Sequence, residues 1–295
     1  MNTLLTYEQQ QKLVLQGLAN YSVNKNLDTF KYARKVMFDY LWDTDAKLQE
    51  CRGHTYDNTT GELVVAAPRK SFNYLENGHW KDMPLDEPVV AYIKYNGFMA
   101  CVSKHNNEVI VSTTGSTKSD FVRMASEMVD VSNFVWSPMD KNHTYLYEII
   151  HPNDLHIVKE EYRAKLLGRR SKITGVFEPS GQAYEGTLKG ILAIAEVNQG
   201  EGFMVYRKND VERLNPCKVK TPYYVGKKAL MRMNKKNVAS MYINPKLIED
   251  KLPRYWKFAV QCITRVYLVE EWMDKTDQQR RGYLENLDEY GTRSL

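Results

Sequence analysis

The sequence predicts an α+β protein with mainly antiparallel sheets flanked by helices, followed by a small helical C-terminal domain. Between about residue 62 and residue 207, short runs rich in β-branched and aromatic residues alternate with Gly, Asn, Pro and Asp, as is typical of antiparallel strands and their turns. After about residue 226, apolar residues recur at helical spacing, most clearly in "KLPRYWKFAVQCITRVYLVEEWMD". A chain of 295 residues is long enough for two domains, and we predict one over residues 1–225 and a second over residues 226–295.

Three further segments have helical spacing. Residues from about 6 to 42 carry apolar positions at this spacing, and we predict that they are helical. Two more helices are predicted within the strand-rich region, in "STKSDFVRMASEMVD" and "YEGTLKGILAIAEV". In the first of these, Thr117 and Asp120 are spaced to form a capping box.

Composition and charge narrow the class of protein. No segment has the unbroken apolar length of a membrane span, and the N-terminus lacks the parts of a signal peptide. We therefore predict a cytoplasmic protein with no membrane partner. The four cysteines form no C-x-x-C pair, which favours reduced thiols over a zinc site or a disulfide framework. The net charge of +5 is compatible with a polyanionic partner.

A charged residue, Lys94, interrupts the apolar stretch "VVAYIKYNGFMACVS". Asn-Gly is a strong turn signal, so one interpretation is a hairpin with Lys94 facing solvent. The order of residues downstream offers another interpretation. After the lysine come a glutamate in "YLYEIIHPNDLHIV", another in "GEGFMVYRK" and a K-x-K element in "CKVKTPYY", which supply Glu148, Glu201, Lys218 and Lys220.

This order resembles the signature of the lysine-dependent nucleotidyltransferases, the superfamily of ligases and capping enzymes. Upstream of the lysine, "LQECRGHTYDNTTGELVVAAPRKSFNYLEN" resembles the E-C-R-G and R-P-x-x-K-F-F-N-x-x-E segments of the bacteriophage RNA ligase 1 family. "EIIHPNDLHIV" is similar to that family's E-x-x-x-P-x-N-R-I-V element. The resemblance covers roughly residues 48–225 and implies a nucleotidyltransferase (adenylyltransferase) domain.

The chemistry implied by this resemblance begins with an uncharged lysine. The ordinary pKa of a lysine, about 10.4, leaves little free amine at neutral pH. We expect Lys218, Lys220, Arg52 and a divalent metal to crowd Lys94 and lower its pKa. The same cations are suited to stabilise the negative charge that develops when the amine attacks the α-phosphate of ATP. Alternate residues of a strand face the same side, so both lysines of K-x-K can point into one cleft.

The two glutamates predict a divalent cation. Glu148 and Glu201 would repel phosphate unless a hard cation lay between them, so we predict Mg²⁺ or Mn²⁺ held partly through water. The resemblance implies a ribose contact for Glu148 and a metal or lysine-orienting role for Glu201. The sequence does not separate these roles.

The resemblance also implies a set of nucleotide contacts. The residues expected at ATP are Arg52, Lys70, Ile93, Lys94, Asn96, Gly97, Glu148, Glu201, Lys218 and Lys220. Arg52 would clamp phosphate through its forked donors, and Lys70 would meet the outer phosphates. Asn96, where many superfamily members have aspartate, keeps a carbonyl acceptor for a ribose hydroxyl. Gly97 would let the backbone approach the nucleotide closely.

The activity implied is that of an ATP-dependent RNA ligase. Such an enzyme joins the 5′-phosphate and 3′-hydroxyl ends of single-stranded RNA through lysyl-AMP and RNA-adenylate intermediates. We expect it to be a monomer and a bacteriophage protein in the cytoplasm of the bacterial host. A DNA ligase would share every motif. A further alternative is a guanylyltransferase of the capping type, although nothing downstream resembles an OB-fold. Another is a catalytically silent RNA-binding module.

Two features depart from the family pattern. Where the family has lysines in its "K-x-K-G-S" stretch, this chain has Ser112 and Thr114, and Lys118 alone persists. The cations that this stretch would direct at phosphate are therefore missing. The tail beyond residue 226 is also shorter than the tRNA-directed helical domain of the best-known members, so anticodon-loop specificity does not transfer to this chain.

Overall fold

A computed structural model describes residues 4–129, 140–210, 212–213 and 215–291 of the protein. Its helices of five residues or more are α1 (Tyr7–Leu15), α2 (Arg34–Phe38), α3 (Asp120–Met128), α4 (Leu188–Val197), α5 (Pro222–Met231), α6 (Lys235–Ile243), α7 (Pro245–Glu249), α8 (Lys257–Val266), α9 (Val269–Asp274) and α10 (Asp277–Gly291). The strands are β1 (Ala19–Asn24), β2 (Leu27–Tyr32), β3 (Arg52–Asp57), β4 (Leu63–Val65), β5 (Phe72–Asn73), β6 (Pro88–Lys94), β7 (Phe98–His105), β8 (Glu108–Ser112), β9 (His143–Ile150), β10 (Arg163–Ser171), β11 (Phe177–Pro179), β12 (Ala183–Thr187), β13 (Gly202–Arg207) and β14 (Cys217–Lys220).

The strands of the described ranges form three sheets. The first has the order β1-β2-β3-β4, the second β11-β10-β9-β7-β8 and the third β12-β6-β13-β14-β5. Within these sheets the pairings are antiparallel except for that of β14 with β5. The predicted α+β class with mainly antiparallel sheets is confirmed.

The prediction of a helix from about 6 to 42 is wrong over its middle third. α1 ends at Leu15, and β1 and β2 then form an antiparallel hairpin whose turn places Lys25 at a φ of 54°. Strand β2 is buried on both faces: Phe30 packs in the core under α1, and Leu27 packs with β4 on the opposite face. A strand buried on both faces loses the alternating pattern that distinguishes it from a helix.

The predicted helix near residue 120 forms, but with a different cap. α3 begins at Asp120, and the hydroxyl of Ser119, rather than that of Thr117, accepts a hydrogen bond from the N–H of Val122. Serine is a preferred N-cap because its side chain satisfies a free amide of the first helical turn.

The C-terminal helices α5 to α10 share a core centred on Trp256 and Trp272, both almost fully buried. Ile157 and Val158, which precede β10, pack in the same core. α5 begins at Pro222 and continues past residues 225 and 226. The domain boundary between these two residues stays a prediction. In the part of the chain that the structure describes, no helix is both long and apolar enough to cross a membrane.

Candidate active site

Lys94 lies where the chain passes from one sheet to another. It is the last residue of β6, which pairs with β12 and β13, whereas β7 pairs with β8 and β9. The Asn-Gly pair is therefore a crossover between two sheets and not the turn of a hairpin. One fifth of the Lys94 side chain is exposed, in the cleft between the sheets.

Two carboxylates hold the backbone of this crossover. The N–H of Asn96 donates to Glu160 Oε1 at 2.6 Å, and the N–H of Gly97 donates to Glu148 Oε1 at 3.0 Å. A Cβ atom on Gly97 would collide with the carbonyl oxygen of Ile149. This position therefore needs glycine because β9 approaches it closely, although we expected the nucleotide to be the reason. Glu160 was not predicted.

The side chain of Asn96 acts within the protein. It is buried, and its Oδ1 accepts hydrogen bonds from the N–H groups of Ile157 at 2.8 Å and Val158 at 3.0 Å. Its Nδ2 donates to Glu201 Oε2 at 3.4 Å. The carbonyl that we expected to meet a ribose hydroxyl is thus already used twice. Aspartate would place a second carboxylate against Glu201, which explains why an amide suits this chain.

Glu201 is the immediate counterion of Lys94. Lys94 Nζ lies 2.9 Å from Glu201 Oε1, and Lys220 Nζ lies 3.7 Å from the same oxygen. Burial lowers the pKa of Lys94, but the negative charges of Glu148 and Glu201 outweigh it and raise the pKa above the ordinary lysine value. The expectation that the pKa of Lys94 is lowered is therefore wrong: Arg52 acts in that direction, but the two glutamates act more strongly.

The cationic crowd surrounds Lys218 instead. Burial and the charges of its neighbours lower the pKa of Lys218 to about 7. In decreasing order of effect, these neighbours are Arg52, Lys70, Lys94 and Lys220. Lys218 Nζ donates to the carbonyl oxygen of Ser71 at 2.9 Å, which fixes its position. Lys218 therefore gives up its proton far more readily than an ordinary lysine, and a bound anion would favour its charged form.

A cavity of about 420 Å³ opens beside Lys94, within the size range of ligand pockets. Of the predicted residues, those on its wall are Arg52, Ile93, Lys94, Gly97, Glu148 and Lys218. The others, Lys70, Asn96, Glu201 and Lys220, lie beside the cavity. Lys70 Nζ lies 4.7 Å from the centre of the Phe72 ring.

Much of the cavity wall was not predicted. Its apolar residues include Met99, Leu146, Leu167, Phe177, Met204 and Tyr206. These residues come from strands of two different sheets, and no local pattern marks them as a group. A cavity of this volume with apolar walls can hold a flat base. The charged groups of Lys94 and Lys218 would then be free to contact phosphate.

A second, more open cleft also reaches Lys94. Besides Lys94, Glu160 and Glu201, its wall includes Tyr223 of α5 and Glu285 of α10. The C-terminal helices therefore contribute side chains to the surroundings of the lysine.

Glu148 and Glu201 are suited to a divalent cation. Burial raises the pKa of Glu148 to about 7; Lys94 opposes this effect and the charge of Glu201 adds to it. A hard cation would relieve the repulsion between the two carboxylates and take the rest of its ligands from phosphate or water. Within the described ranges, no three His, Cys, Asp or Glu side chains are grouped to hold a metal by themselves.

A buried ion cluster supports one end of the cavity. Arg170 Nη2 donates to both carboxylate oxygens of Glu50, at 3.1 and 3.0 Å, and Arg69 Nε lies 2.9 Å from Glu50 Oε1. His54 Nδ1 accepts from the N–H of Ala67, so its Nε2 carries the proton and donates to Glu50 at 3.3 Å. Glu50 is the glutamate of the E-C-R-G segment, and its contacts here are structural.

Loss of Arg170 should strongly destabilise the fold. Its guanidinium is 1% exposed and also donates to the carbonyl oxygen of Gly175 at 2.8 Å. Arg170→Met leaves the Glu50 carboxylate buried without its main partner, and we expect the free energy of unfolding to fall by about 3–5 kcal/mol. Urea denaturation measures this change.

The adjacent Arg169 provides the control. It pairs with Glu178, and because both side chains are about half exposed, Arg169→Met should cost less than about 1 kcal/mol. Equal losses in the two variants would contradict a supporting role for the buried cluster.

No protein family model and no curated protein matches this sequence. Among solved structures, an archaeal ATP-dependent RNA ligase has a TM-score of 0.52 at 13% sequence identity, over 95% of this chain and 76% of the ligase. A putative ATP-dependent DNA ligase from Aquifex aeolicus has a TM-score of 0.53 at 14% identity, over 86% of this chain and 69% of the ligase. The chain therefore has the nucleotidyltransferase fold of these ATP-dependent ligases.

Proposed function

We propose that the protein is an ATP-dependent RNA ligase in which Lys94 carries the adenylate. The observation that carries this proposal is the placement of Lys94. Its ε-ammonium lies in the cleft between two sheets, 2.9 Å from Glu201, on the wall of a cavity that also holds Arg52 and Lys218. The same fold occurs in ATP-dependent ligases, and the ordered motifs of the sequence add support.

In the first step, Lys94 Nζ loses a proton and attacks the α-phosphorus of ATP. An N–P bond forms, the bond from that phosphorus to the bridging oxygen breaks, and pyrophosphate leaves. Glu201, 2.9 Å from Nζ, is placed to receive the proton. Because Glu148 and Glu201 raise the pKa of Lys94, a cation that arrives with the nucleotide would favour the neutral amine.

The cations beside the cavity suit the charge that develops on phosphate. Lys218 and Arg52 lie on its wall, and Lys220 lies next to Glu201. Positive groups held in place before the reaction stabilise the phosphorus transition state without rearranging. Lys218 gains a full charge when phosphate binds, since its pKa of about 7 then rises.

Glu148 and Glu201 would hold Mg²⁺ or Mn²⁺ together with phosphate oxygens. A bound divalent cation would neutralise phosphate charge and compete with Lys94 for Glu201. The buried pair of carboxylates, with the raised pKa of Glu148, supports this assignment.

Two further transfers complete the proposed reaction. The 5′-phosphate of RNA attacks the adenylate phosphorus and displaces Lys94, which forms an RNA-adenylate. The 3′-hydroxyl of a second end then attacks the RNA 5′-phosphorus, and AMP leaves as the phosphodiester forms. The resemblance to the bacteriophage RNA ligase 1 family supports RNA as the substrate, a monomeric enzyme and a phage protein in the host cytoplasm.

Incubation with α-labelled ATP and Mg²⁺ tests the first step. We expect an acid-labile label on the protein in a denaturing gel, and no label from α-labelled GTP. Addition of 5′-phosphorylated single-stranded RNA should discharge the label and give joined RNA, whereas RNA with a 5′-hydroxyl should leave the label in place.

DNA of the same sequence separates the two classes of ligase. Joining of DNA but not RNA would identify a DNA ligase. Binding of RNA without any covalent nucleotide would identify a catalytically silent RNA-binding module. Labelling of the protein by GTP but not by ATP would identify a guanylyltransferase.

A further inference from the structure

Two cationic residues from the N-terminal part of the chain are paired beside the candidate site. Lys31 of β2 is the cross-strand partner of Arg52 of β3, and Arg52 lies on the wall of the cavity beside Lys94. Residues paired across neighbouring strands project from the same face of a sheet, so the two cationic side chains are neighbours. The predicted set of site residues included Arg52 but not Lys31.

Neither cation is neutralised. Among the residues that the structure describes, no carboxylate lies within ion-pair distance of Lys31 or Arg52, and Arg52 donates one long hydrogen bond to the carbonyl oxygen of Pro68 at 3.4 Å. Burial, followed by the charges of Arg52 and Arg34, lowers the pKa of Lys31. Half-buried cations that repel one another without a counterion are typical of a site for an anion.

The loop that follows β8 packs against this pair. A Cβ atom on Gly53, next to Arg52, would lie 2.7 Å from the Cα atom of Thr114. A Cβ atom on Gly115 would lie 3.9 Å from Cδ of Lys31. The loop is tied to the first sheet by the hydroxyl of Ser22, which donates to the carbonyl oxygen of Gly115 at 2.9 Å. Lys31 and Arg52 are therefore both covered on one side by this loop.

We propose that Lys31 and Arg52 together bind the phosphate that lies opposite Lys94 at the reacting phosphorus. This inference rests on the proposed function and assigns a further binding residue to the same site. The phosphate is the pyrophosphate part of ATP in the first step and the 5′-phosphate of the nucleic acid in the second.

One site serves both phosphates because displacement at phosphorus is in line. In the first step, the N–P bond to Lys94 forms while the bond to pyrophosphate breaks on the opposite side. In the second step, an oxygen of the 5′-phosphate forms its bond on that opposite side while the N–P bond breaks and Lys94 recovers a proton. The leaving pyrophosphate and the entering 5′-phosphate therefore occupy the same position in turn.

The test compares two phosphate sources in Lys31→Met. We expect affinity for ATP to fall by about tenfold, as for the loss of one charge-assisted contact, while affinity for AMP stays within about twofold. In single-turnover transfer from the adenylylated enzyme to a 5′-phosphorylated oligonucleotide, the concentration of oligonucleotide giving half the maximal rate should rise by about tenfold. Lys31→Arg should restore both.

Lys35→Met is the matched control. Lys35 is exposed and lies four residues further along the chain. Its loss should change neither the affinity for ATP nor the transfer to the oligonucleotide. Thermal unfolding separates binding from folding: removal of an uncompensated charge should leave the Tm of Lys31→Met unchanged or raised. Lys31→Gln is measured in parallel, so that a folding defect specific to methionine does not decide the result.

Unchanged affinity for ATP and unchanged transfer in Lys31→Met and Lys31→Gln would overturn the inference. If only ATP binding or only transfer to the oligonucleotide were weakened, the two phosphates would not share one site. Failure of the wild-type protein to form any adenylate would instead count against the proposed function, and the comparison of ATP with AMP binding would still decide whether Lys31 binds phosphate.

Discussion

Lys94→Ala and Lys94→Arg should abolish formation of the labelled protein from ATP. No other group provides the nitrogen to which AMP is attached, and a guanidinium stays protonated at any pH at which the protein is folded. We expect the rate of adenylate formation to fall by at least about 10⁴-fold, to the detection limit of a denaturing gel. Lys94→Arg keeps a positive charge beside Glu201, so it should keep the fold and bind ATP.

The control for this experiment is an exposed lysine on α4. Lys189→Ala removes one amine away from the cavity and should label as the wild type does. Since preadenylylated RNA does not need the lysine nucleophile, Lys94→Ala should still seal it to a 3′-hydroxyl end. Label that persists on Lys94→Ala would show that another residue is the nucleophile.

The affinity for ATP should fall as pH rises above neutrality, through Lys218. Its pKa of about 7 lies far below the ordinary lysine value because of burial and the surrounding cations. ATP binds the charged form better, so below pH 7 the group is already protonated and contributes no pH dependence. Above pH 7, binding must take up a proton, and affinity should fall by up to about tenfold per pH unit until the pKa of the complex is reached.

Calorimetry at pH 8 in two buffers of different ionisation enthalpy measures this proton uptake. The terminal phosphate of ATP also titrates near neutrality, so the informative quantity is the difference between the wild type and Lys218→Met. We expect the variant to bind ATP more weakly at pH 6.5 and to lose the uptake at pH 8. Lys208→Met, which removes an exposed lysine paired with Glu185, should behave as the wild type does. The same proton uptake in Lys218→Met and the wild type would refute this assignment.

Local patterns were sufficient to predict most of the helices and strands. Strand-like runs bounded by turn residues predicted β6, β7, β9 and β13, and helical periodicity predicted the C-terminal helices. The prediction was wrong at β1 and β2; β2 is buried on both faces and so has no alternating pattern, whereas β1 is mostly exposed. It also missed Glu160, whose sequence neighbours give no sign that its carboxylate holds the backbone of Asn96.

By itself, the sequence determined that an ordered set of lysines and glutamates exists and that Lys94 ends a strand. Only the tertiary structure decided that Asn96 and Gly97 cross between two sheets, that Lys94 pairs with a glutamate 107 positions away, and that Lys218 rather than Lys94 has the lowered pKa. The physical reason is that backbone preference and apolar periodicity act over a few neighbouring residues. The charge state of a side chain instead depends on burial and on every charge within several ångströms, and folding brings those groups together from distant parts of the chain.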